Sequence, residues 1–121
     1  MKIILRLFFI FFSFLSFAQI NDSNVNLLIN KISQTEAKGD TTSDDYANLI
    51  NNLAIYYTNK GMYTQAEPLF IKVSTIRKSV YGENHLSYAT SLNNLAFLYQ
   101  KQGRYIEAEP VLLKSLQIEK S

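Results

Sequence analysis

The residue types that most often do chemistry in proteins are sparse in this chain. His85 is the only histidine, and it lies beside Glu83 and Asn84 in a polar stretch that follows Gly82. An imidazole can act as a general base or as a metal ligand. A transition-metal site would need carboxylates from several elements, because the chain has one histidine and no cysteine. No such cluster is visible, so we expect His85 to be a turn residue that satisfies free backbone groups.

Two glutamates, Glu67 and Glu109, could in principle form the carboxylate pair of a hydrolase. Both occupy the same place in an internal repeat, however, and repetition favours a role in the scaffold over one in catalysis. The sequence also has no Gly-rich phosphate loop, no Gly-x-Ser-x-Gly nucleophile elbow, and no serine or lysine at a motif spacing from a base. The sequence therefore predicts no enzyme activity, no metal site and no cofactor.

The feature that organises the chain is a repeat with a period of 42 residues. Residues 46–79 agree with residues 88–121 at sixteen of thirty-four positions. The identical pairs include aliphatic, small, aromatic, glycine, polar and charged positions, among them Asn51/Asn93, Asn52/Asn94, Leu53/Leu95, Ala54/Ala96, Tyr57/Tyr99, Gly61/Gly103, Tyr63/Tyr105 and Glu67/Glu109. A fixed period between about 20 and 50 residues indicates a protein built from stacked repeats.

Each copy of the repeat predicts two helices. The first is indicated by apolar residues at the i, i+3, i+4, i+7 spacing, which are Ile50, Leu53, Ala54 and Tyr57, and then Leu92, Leu95, Ala96 and Tyr99. The second is indicated by Ala66, Leu69, Phe70 and Val73, and then by Ala108, Val111, Leu112 and Ser115. Gly61 and Gly103 are expected to end the first helices in the left-handed conformation. Thr64 and Glu67 have the spacing of a capping box at the start of a second helix.

Three segments of the second copy carry a family resemblance: YATSLNNLAFLY at residues 88–99, QGRY at 102–105 and EAEP at 107–110. They resemble the tetratricopeptide repeat family, in the 42-residue variety found in kinesin light chains and in many bacterial repeat proteins. The resemblance implies an all-α fold, a right-handed stack of antiparallel helix hairpins with two repeats and an N-terminal helix. It also implies that the first helices line a concave surface that binds an extended or helical peptide, so that the chain serves as a protein–protein interaction module.

The face of the first helices that lies opposite the core stripe is the candidate binding site. Its members are Asn48, Asn51, Asn52, Ile55 and Asn59 in the first copy, and Thr90, Asn93, Asn94, Phe97 and Lys101 in the second. Asparagine amides carry donors and an acceptor, which suits contact with a peptide backbone. Ile55 and Phe97 would add apolar contact, and Lys101 could pair with a carboxylate. The alternative is that this face is merely solvated.

Residues 1–18 have the pattern of a secretory signal peptide. A basic start with Lys2 and Arg6 precedes an apolar run over 7–17, and Ser16 and Ala18 are small residues at the spacing that signal peptidase needs. We expect cleavage after Ala18 and export to the periplasm or beyond; the alternative is a retained membrane anchor. Without this segment ten basic residues balance ten acidic ones, so neither nucleic acid nor a membrane is an expected partner.

The remaining sequence divides into three segments, with expected boundaries at 19–45, 46–87 and 88–121. The first would be an N-terminal capping helix and a polar turn, because its apolar residues Val25, Leu28, Ile29 and Ile32 have helical spacing. Stacks of this kind usually need about three repeats, and only two are found here. The last of the predicted helices is nevertheless rich in apolar residues that would need a packing neighbour: Val111, Leu112, Leu113, Leu116 and Ile118. Two further interpretations therefore stay open: self-association through this helix, and an N-terminal fragment of a larger tetratricopeptide protein with a protease-like, kinase or other effector domain.

Overall fold

The computed structural model describes residues 23–121, and the expectations about residues 1–18 lie outside this range. The described residues form five α-helices and no strand. The helices are α1 over 23–37, α2 over Asp44–Asn59, α3 over Tyr63–Tyr81, α4 over Leu86–Lys101 and α5 over Tyr105–Lys120. Helices α2 and α3 pack as one hairpin, α4 and α5 pack as a second, and α3 packs against α4 to join them. The expected all-α stack of two helix hairpins preceded by an N-terminal helix is confirmed.

Helix α2 begins in the polar turn that the sequence indicates. Ser43 is the N-cap, and its Oγ accepts a hydrogen bond of 3.2 Å from the backbone N–H of Tyr46. Such a bond satisfies one of the amide groups that have no partner at a helix start. Asp44 and Asp45 occupy the first turn, where the positive end of the helix dipole favours carboxylates. The helix therefore starts slightly before the expected repeat boundary at residue 46.

A glycine in the left-handed region ends α2 and another ends α4, as expected. Gly61 has φ 74° and Gly103 has φ 71°. In the first copy, the Met62 N–H donates to Tyr57 O at 2.8 Å and the Gly61 N–H donates to Thr58 O at 3.1 Å. The second copy repeats both bonds. This is the Schellman motif, which pairs carbonyls that the helix end would leave free and turns the chain directly into the next helix.

The capping box expected from Thr64 and Glu67 is wrong. Helix α3 already begins at Tyr63, its N-cap is Met62, and no side chain caps it. Because the Schellman motif ends at Met62, Thr64 already lies inside the helix and cannot serve as its cap. The Glu67 carboxylate instead accepts hydrogen bonds from Arg104, in the turn of the second repeat.

The core lies where the helical periodicity places it. The buried residues of the first helices include Ile50, Leu53, Ala54, Leu92, Leu95, Ala96 and Tyr99, and those of the second helices include Ala66, Phe70, Val73, Ala108 and Ser115. On α1, Ile32 is buried against α2 and α3, while Val25 and Leu28 are half-buried and Ile29 is exposed. Helix α1 therefore covers the open side of the first hairpin.

The expectation of an exposed apolar surface on the last helix is correct only in part. Leu113 and Leu116 are exposed, whereas Val111 and Leu112 are half-buried. Ile118 is buried in a small cluster with residues of α4, so its inclusion in that surface is wrong. The reason is the position of Ile118 around the helix axis. Ile118 on α5 corresponds to Ile76 on α3, and Ile76 also faces the other helix of its own hairpin.

One polar contact joins the first three helices. The Tyr46 hydroxyl on α2 donates to Glu36 Oε1 on α1 at 2.6 Å and accepts from Lys72 Nζ on α3 at 2.8 Å. Burial, and then the hydrogen bond to Glu36, raise the pKa of Tyr46 above its ordinary value.

Among the described helices, none combines the length and the apolar composition needed to cross a membrane.

Candidate functional site

His85 has a structural role at the start of α4. It is the N-cap residue, and its Nδ1 accepts a hydrogen bond of 3.0 Å from the Ser87 N–H. Its ring stacks on Tyr81 with 4.4 Å between ring centres. The expectation of a turn residue that satisfies backbone groups is confirmed. Among residues 23–121, no group of three or more His, Asp or Glu side chains is placed to hold a metal ion.

The two repeat-related glutamates do not form a carboxylate pair. Glu67 accepts hydrogen bonds from Arg104 through both carboxylate oxygens, at 2.8 Å from Nη1 and 3.2 Å from Nη2. Arg104 also bonds to Glu107, and its guanidinium lies over the Tyr99 ring at 4.4 Å. The hydrogen bond from Arg104 holds the pKa of the Glu107 carboxyl below its usual value. Glu67 therefore serves as an anchor between repeats, a role that the sequence interpretation did not identify.

The stripe predicted on the first helices lies largely at the surface. On α2, Asn48, Asn52, Ile55 and Asn59 are exposed and Asn51 is half-buried; on α4, Thr90, Phe97 and Lys101 are exposed and Asn93 and Asn94 are half-buried. The stripe is exposed because the opposite side of each helix carries the buried core residues, and the side turned away from the core faces water.

A hydrogen bond connects the stripes of the two repeats. Asn94 Nδ2 on α4 donates to Asn51 Oδ1 on α2 at 3.2 Å. Each asparagine uses half of its amide in this bond, so Asn51 keeps its Nδ2 donors and Asn94 keeps its Oδ1 acceptor for other partners. The stripes of α2 and α4 are therefore in contact and form one continuous surface.

Three of the ten stripe residues are engaged by their own repeat. Asn48 Oδ1 accepts from Arg77 Nη2 on α3 at 2.7 Å, and Asn93 Nδ2 donates to Glu119 Oε1 on α5 at 3.0 Å. The Thr90 hydroxyl donates to the backbone carbonyl of Leu86, one helical turn earlier. In Asn48, Thr90 and Asn93, polar atoms are thus already hydrogen-bonded within the protein. The part of the stripe that is available to a ligand therefore consists of the other seven residues.

The narrower surface combines amides with an aromatic ring and a cation. Lys101 Nζ lies 5.2 Å from the centre of the Phe97 ring, and Phe97 is 47% exposed. This distance is within the range of a cation–π contact. We call Asn51, Asn52, Ile55, Asn59, Asn94, Phe97 and Lys101 the amide surface.

An open cavity of about 460 Å³ between α1 and α2 is a feature that the sequence interpretation missed. It is lined by Lys31, Thr35, Lys38, Asp40, Asp45, Tyr46, Asn48 and Leu49. Its lining carries both positive and negative side chains, and these come from α1, from the turn after it and from α2. No spacing within a single segment could have indicated it.

The family of the chain follows from a comparison with family models. A model described as tetratricopeptide repeat matches residues 45–121, which span helices α2 to α5. No curated protein matches the sequence. Repeats of this family generally form non-enzymatic scaffolds that bind protein partners. Because the matched segment covers more than half of the sequence and coincides with the two stacked hairpins, the chain belongs to the tetratricopeptide repeat family.

Proposed function

We propose that this chain binds a peptide, or an exposed segment of a partner protein, along the amide surface of α2 and α4. The observation that carries the proposal is the hydrogen bond between Asn94 and Asn51, which makes one surface of two repeats. A continuous surface of this kind can follow an extended chain for several residues, whereas an isolated asparagine could make only one or two bonds.

The amide groups favour recognition of a peptide backbone. Asn51 and Asn94 retain a donor and an acceptor after their mutual bond, and Asn52 is exposed beside them on α2. A peptide bond offers one N–H and one C=O, which these groups can pair without a change in charge state. Backbone recognition would give affinity with little dependence on the peptide's side chains.

The apolar and cationic groups would supply selectivity. Phe97 and Ile55 are both exposed and belong to neighbouring first helices. Covering the exposed part of the Phe97 ring would contribute roughly 1–2 kcal/mol, by the usual value per area of apolar surface removed from water. Lys101 is the only charged member of the amide surface. The preferred ligand is therefore a segment with an apolar side chain near Phe97 and a carboxylate within reach of Lys101.

The test is a selection from a library of random peptides on the purified chain, followed by affinity measurements with the selected sequences. Phe97→Ala and the pair Asn52→Ala with Asn94→Ala should each weaken binding by about tenfold. The matched control is Ile106→Ala, because Ile106 is a strongly exposed apolar residue of α5 and lies outside the amide surface. Peptides whose affinity is unchanged by the amide-surface variants, or equally lowered by Ile106→Ala, would refute the proposal.

We further propose that the chain acts outside the cytoplasm. The support is the signal-peptide pattern of residues 1–18, with Ala18 at the cleavage position and Gln19 following it. N-terminal sequencing of the chain recovered from the periplasmic or secreted fraction should begin at Gln19. Recovery of the intact chain in the membrane fraction would instead indicate a retained anchor.

A further inference from the structure

The open cavity between α1 and α2, which we call the α1–α2 cavity, has the size of a small-molecule site. Its volume of about 460 Å³ lies within the range of roughly 300–1,000 Å³ that such sites occupy. One wall is formed by Lys31 and Thr35 on α1 and by Lys38 directly after it. The other wall includes Asp45 and Leu49 on α2. The cavity therefore has a basic side and an acidic side.

The Tyr46 hydroxyl holds the two walls at a fixed separation. Tyr46 is a buried residue of α2 that also lines the cavity. Its hydroxyl donates to Glu36 Oε1 on α1 at 2.6 Å and accepts from Lys72 Nζ on α3 at 2.8 Å. A ligand that enters the cavity thus meets walls that are already in place, so little ordering free energy opposes its binding.

The charged groups of the two walls do not pair with each other. The side chains of Lys31, Lys38 and Asp45 have no hydrogen bond or ion pair with any residue of 23–121. Asp40, the other acidic residue of the lining, is different, because its carboxylate accepts from the Ser43 N–H at 3.3 Å and from the Ser43 hydroxyl at 2.8 Å. Two ammonium groups on one wall and one carboxylate on the other are therefore left for a ligand.

A ligand with opposite charges at its two ends would satisfy both walls. Its carboxylate would pair with Lys31 or Lys38, and its ammonium would pair with Asp45. A simple anion would be repelled by Asp45, and a simple cation would be repelled by the lysines. The Thr35 hydroxyl donates to the Lys31 carbonyl at 2.8 Å, so its oxygen is left to accept a hydrogen bond. Leu49 adds a half-buried apolar side chain for the middle of the ligand.

The length of the basic wall favours a peptide over a single amino acid. Lys31 and Lys38 are seven residues apart, and the Lys38 N–H still donates to Gln34 O in the helical pattern. Seven residues of helix rise by about 10 Å along the axis. An extended peptide covers about 3.3 Å per residue. A chain of about three residues therefore matches the wall, and its backbone supplies an N–H for the Thr35 oxygen.

We propose that the α1–α2 cavity binds a short peptide of two to four residues whose amino and carboxyl ends are both free. The ammonium lies at Asp45, and the carboxylate lies at the lysines of the opposite wall. This site is separate from the amide surface, because the two share no residue. A peptide in the cavity joins α1 to α2 and adds to the attachment that Tyr46 provides.

The first test is a titration of the full chain with trialanine, followed through the NMR signals of the backbone amides. Saturation with a Kd of about 1 mM is expected, because contacts between exposed charges are individually weak. The signals that shift should come from residues 31–49, and the amides of residues 23–37 should exchange more slowly when the peptide is bound. Absence of saturation below about 10 mM overturns the proposal.

Altered peptides show which parts of the ligand are recognised. N-acetyl-trialanine lacks the ammonium and trialanine amide lacks the carboxylate, so each should bind about threefold more weakly than trialanine. Free alanine keeps both charges but is too short to reach both walls, and it should bind at least about fivefold more weakly. An acetylated peptide that binds as tightly as trialanine would reveal plain anion binding. Alanine that binds as tightly would show that the length of the wall is not used, and either result overturns the proposal.

Substitutions on the two walls assign the ends of the peptide. Asp45→Asn should weaken trialanine binding about threefold, and Lys31→Gln combined with Lys38→Gln should weaken it about fivefold. Asp45→Asn should cause no further loss with N-acetyl-trialanine but should keep its full effect with trialanine amide. The matched controls are Glu109→Gln and Lys120→Gln, at exposed positions of α5 without an ion pair to residues 23–121. Controls that weaken binding as much as the cavity variants would refute the site.

Discussion

The Tyr46 hydroxyl offers the sharpest test of how α1 is held to the stack. Tyr46 is 1% exposed, and its hydroxyl bonds to Glu36 on α1 and to Lys72 on α3. Tyr46→Phe removes both bonds and leaves the ring in place. Tyr88 is the matched control, because it lies 42 residues later and is also buried, but its hydroxyl has no hydrogen bond with residues 23–121.

The magnitude follows from the partners of the hydroxyl. A hydrogen bond to a charged group contributes about 1.5–3 kcal/mol net. Glu36 and Lys72 are exposed side chains, so both can return to water when the hydroxyl is removed, and the loss should lie at the low end. We expect Tyr46→Phe to lower the free energy of unfolding by about 2 kcal/mol. For a domain of this size the melting temperature should fall by roughly 8–16 °C. Tyr88→Phe should change stability by less than about 0.5 kcal/mol.

Urea denaturation and amide hydrogen exchange measure the two parts of the prediction. In Tyr46→Phe the amides of residues 23–37 should exchange faster, since α1 loses its polar attachment to α2. The pKa of Tyr46 is raised by burial and by its bond to Glu36, so the native protein loses stability as the pH rises from about 10 through the folded-state pKa. The difference in free energy of unfolding between the native protein and Tyr46→Phe should therefore become smaller above about pH 10. Equal stabilities for the two variants, or unchanged exchange in α1, would show that the network does not hold the helix.

Three further predictions concern the turns and the core. Gly103→Ala should lower the free energy of unfolding by about 1 kcal/mol, because φ is 71° and an added Cβ would meet no atom within 4 Å, so the cost is conformational alone; urea titration measures it, and a loss above about 3 kcal/mol would contradict that account. Arg104→Met, which copies the first repeat, should lower the melting temperature at pH 7 and should lower it by less in acid, where Glu107 becomes protonated. The reason is that the lowered pKa of Glu107 adds stability above its unfolded pKa, and this is lost as the pH falls through the folded value. Phe70→Ala should cost about 3–5 kcal/mol, while Phe70→Leu, the residue found at Leu112, should cost about 1 kcal/mol in the same titration.

The local features of the repeat could be predicted because they depend on short segments. Helical spacing marked the buried stripe of Leu53 and Leu95, and the glycines at 61 and 103 marked the helix ends. The capping box at Thr64 failed for a local reason too: the Schellman motif had already moved the helix start to Tyr63. A pattern of two residues could not show which of two competing start signals would win.

The candidate site was predictable in its outline and not in its contacts. Periodicity placed the ten stripe residues on the face opposite the core, and most of them are exposed. The sequence did not show that Asn48 and Asn93 would turn to the second helices, or that Asn51 and Asn94 would bond to each other. These outcomes depend on partners 26 to 43 residues away in sequence, whose distance is fixed by how the hairpins stack.

The sequence by itself determined the period, the number of helices from residue 46 onward, and the side of each helix that faces the core, because each follows from repetition and from 3.6 residues per turn. Only the tertiary structure decided which repeat-related residues acquire different roles. Glu67 is bound by Arg104 and Glu109 is free of partners within residues 23–121, although the two lie at identical repeat positions. The physical reason is that a repeat fixes what a side chain is, whereas the packed neighbour fixes what it can contact: α4 covers that side of α3, and no helix of the described residues covers it on α5.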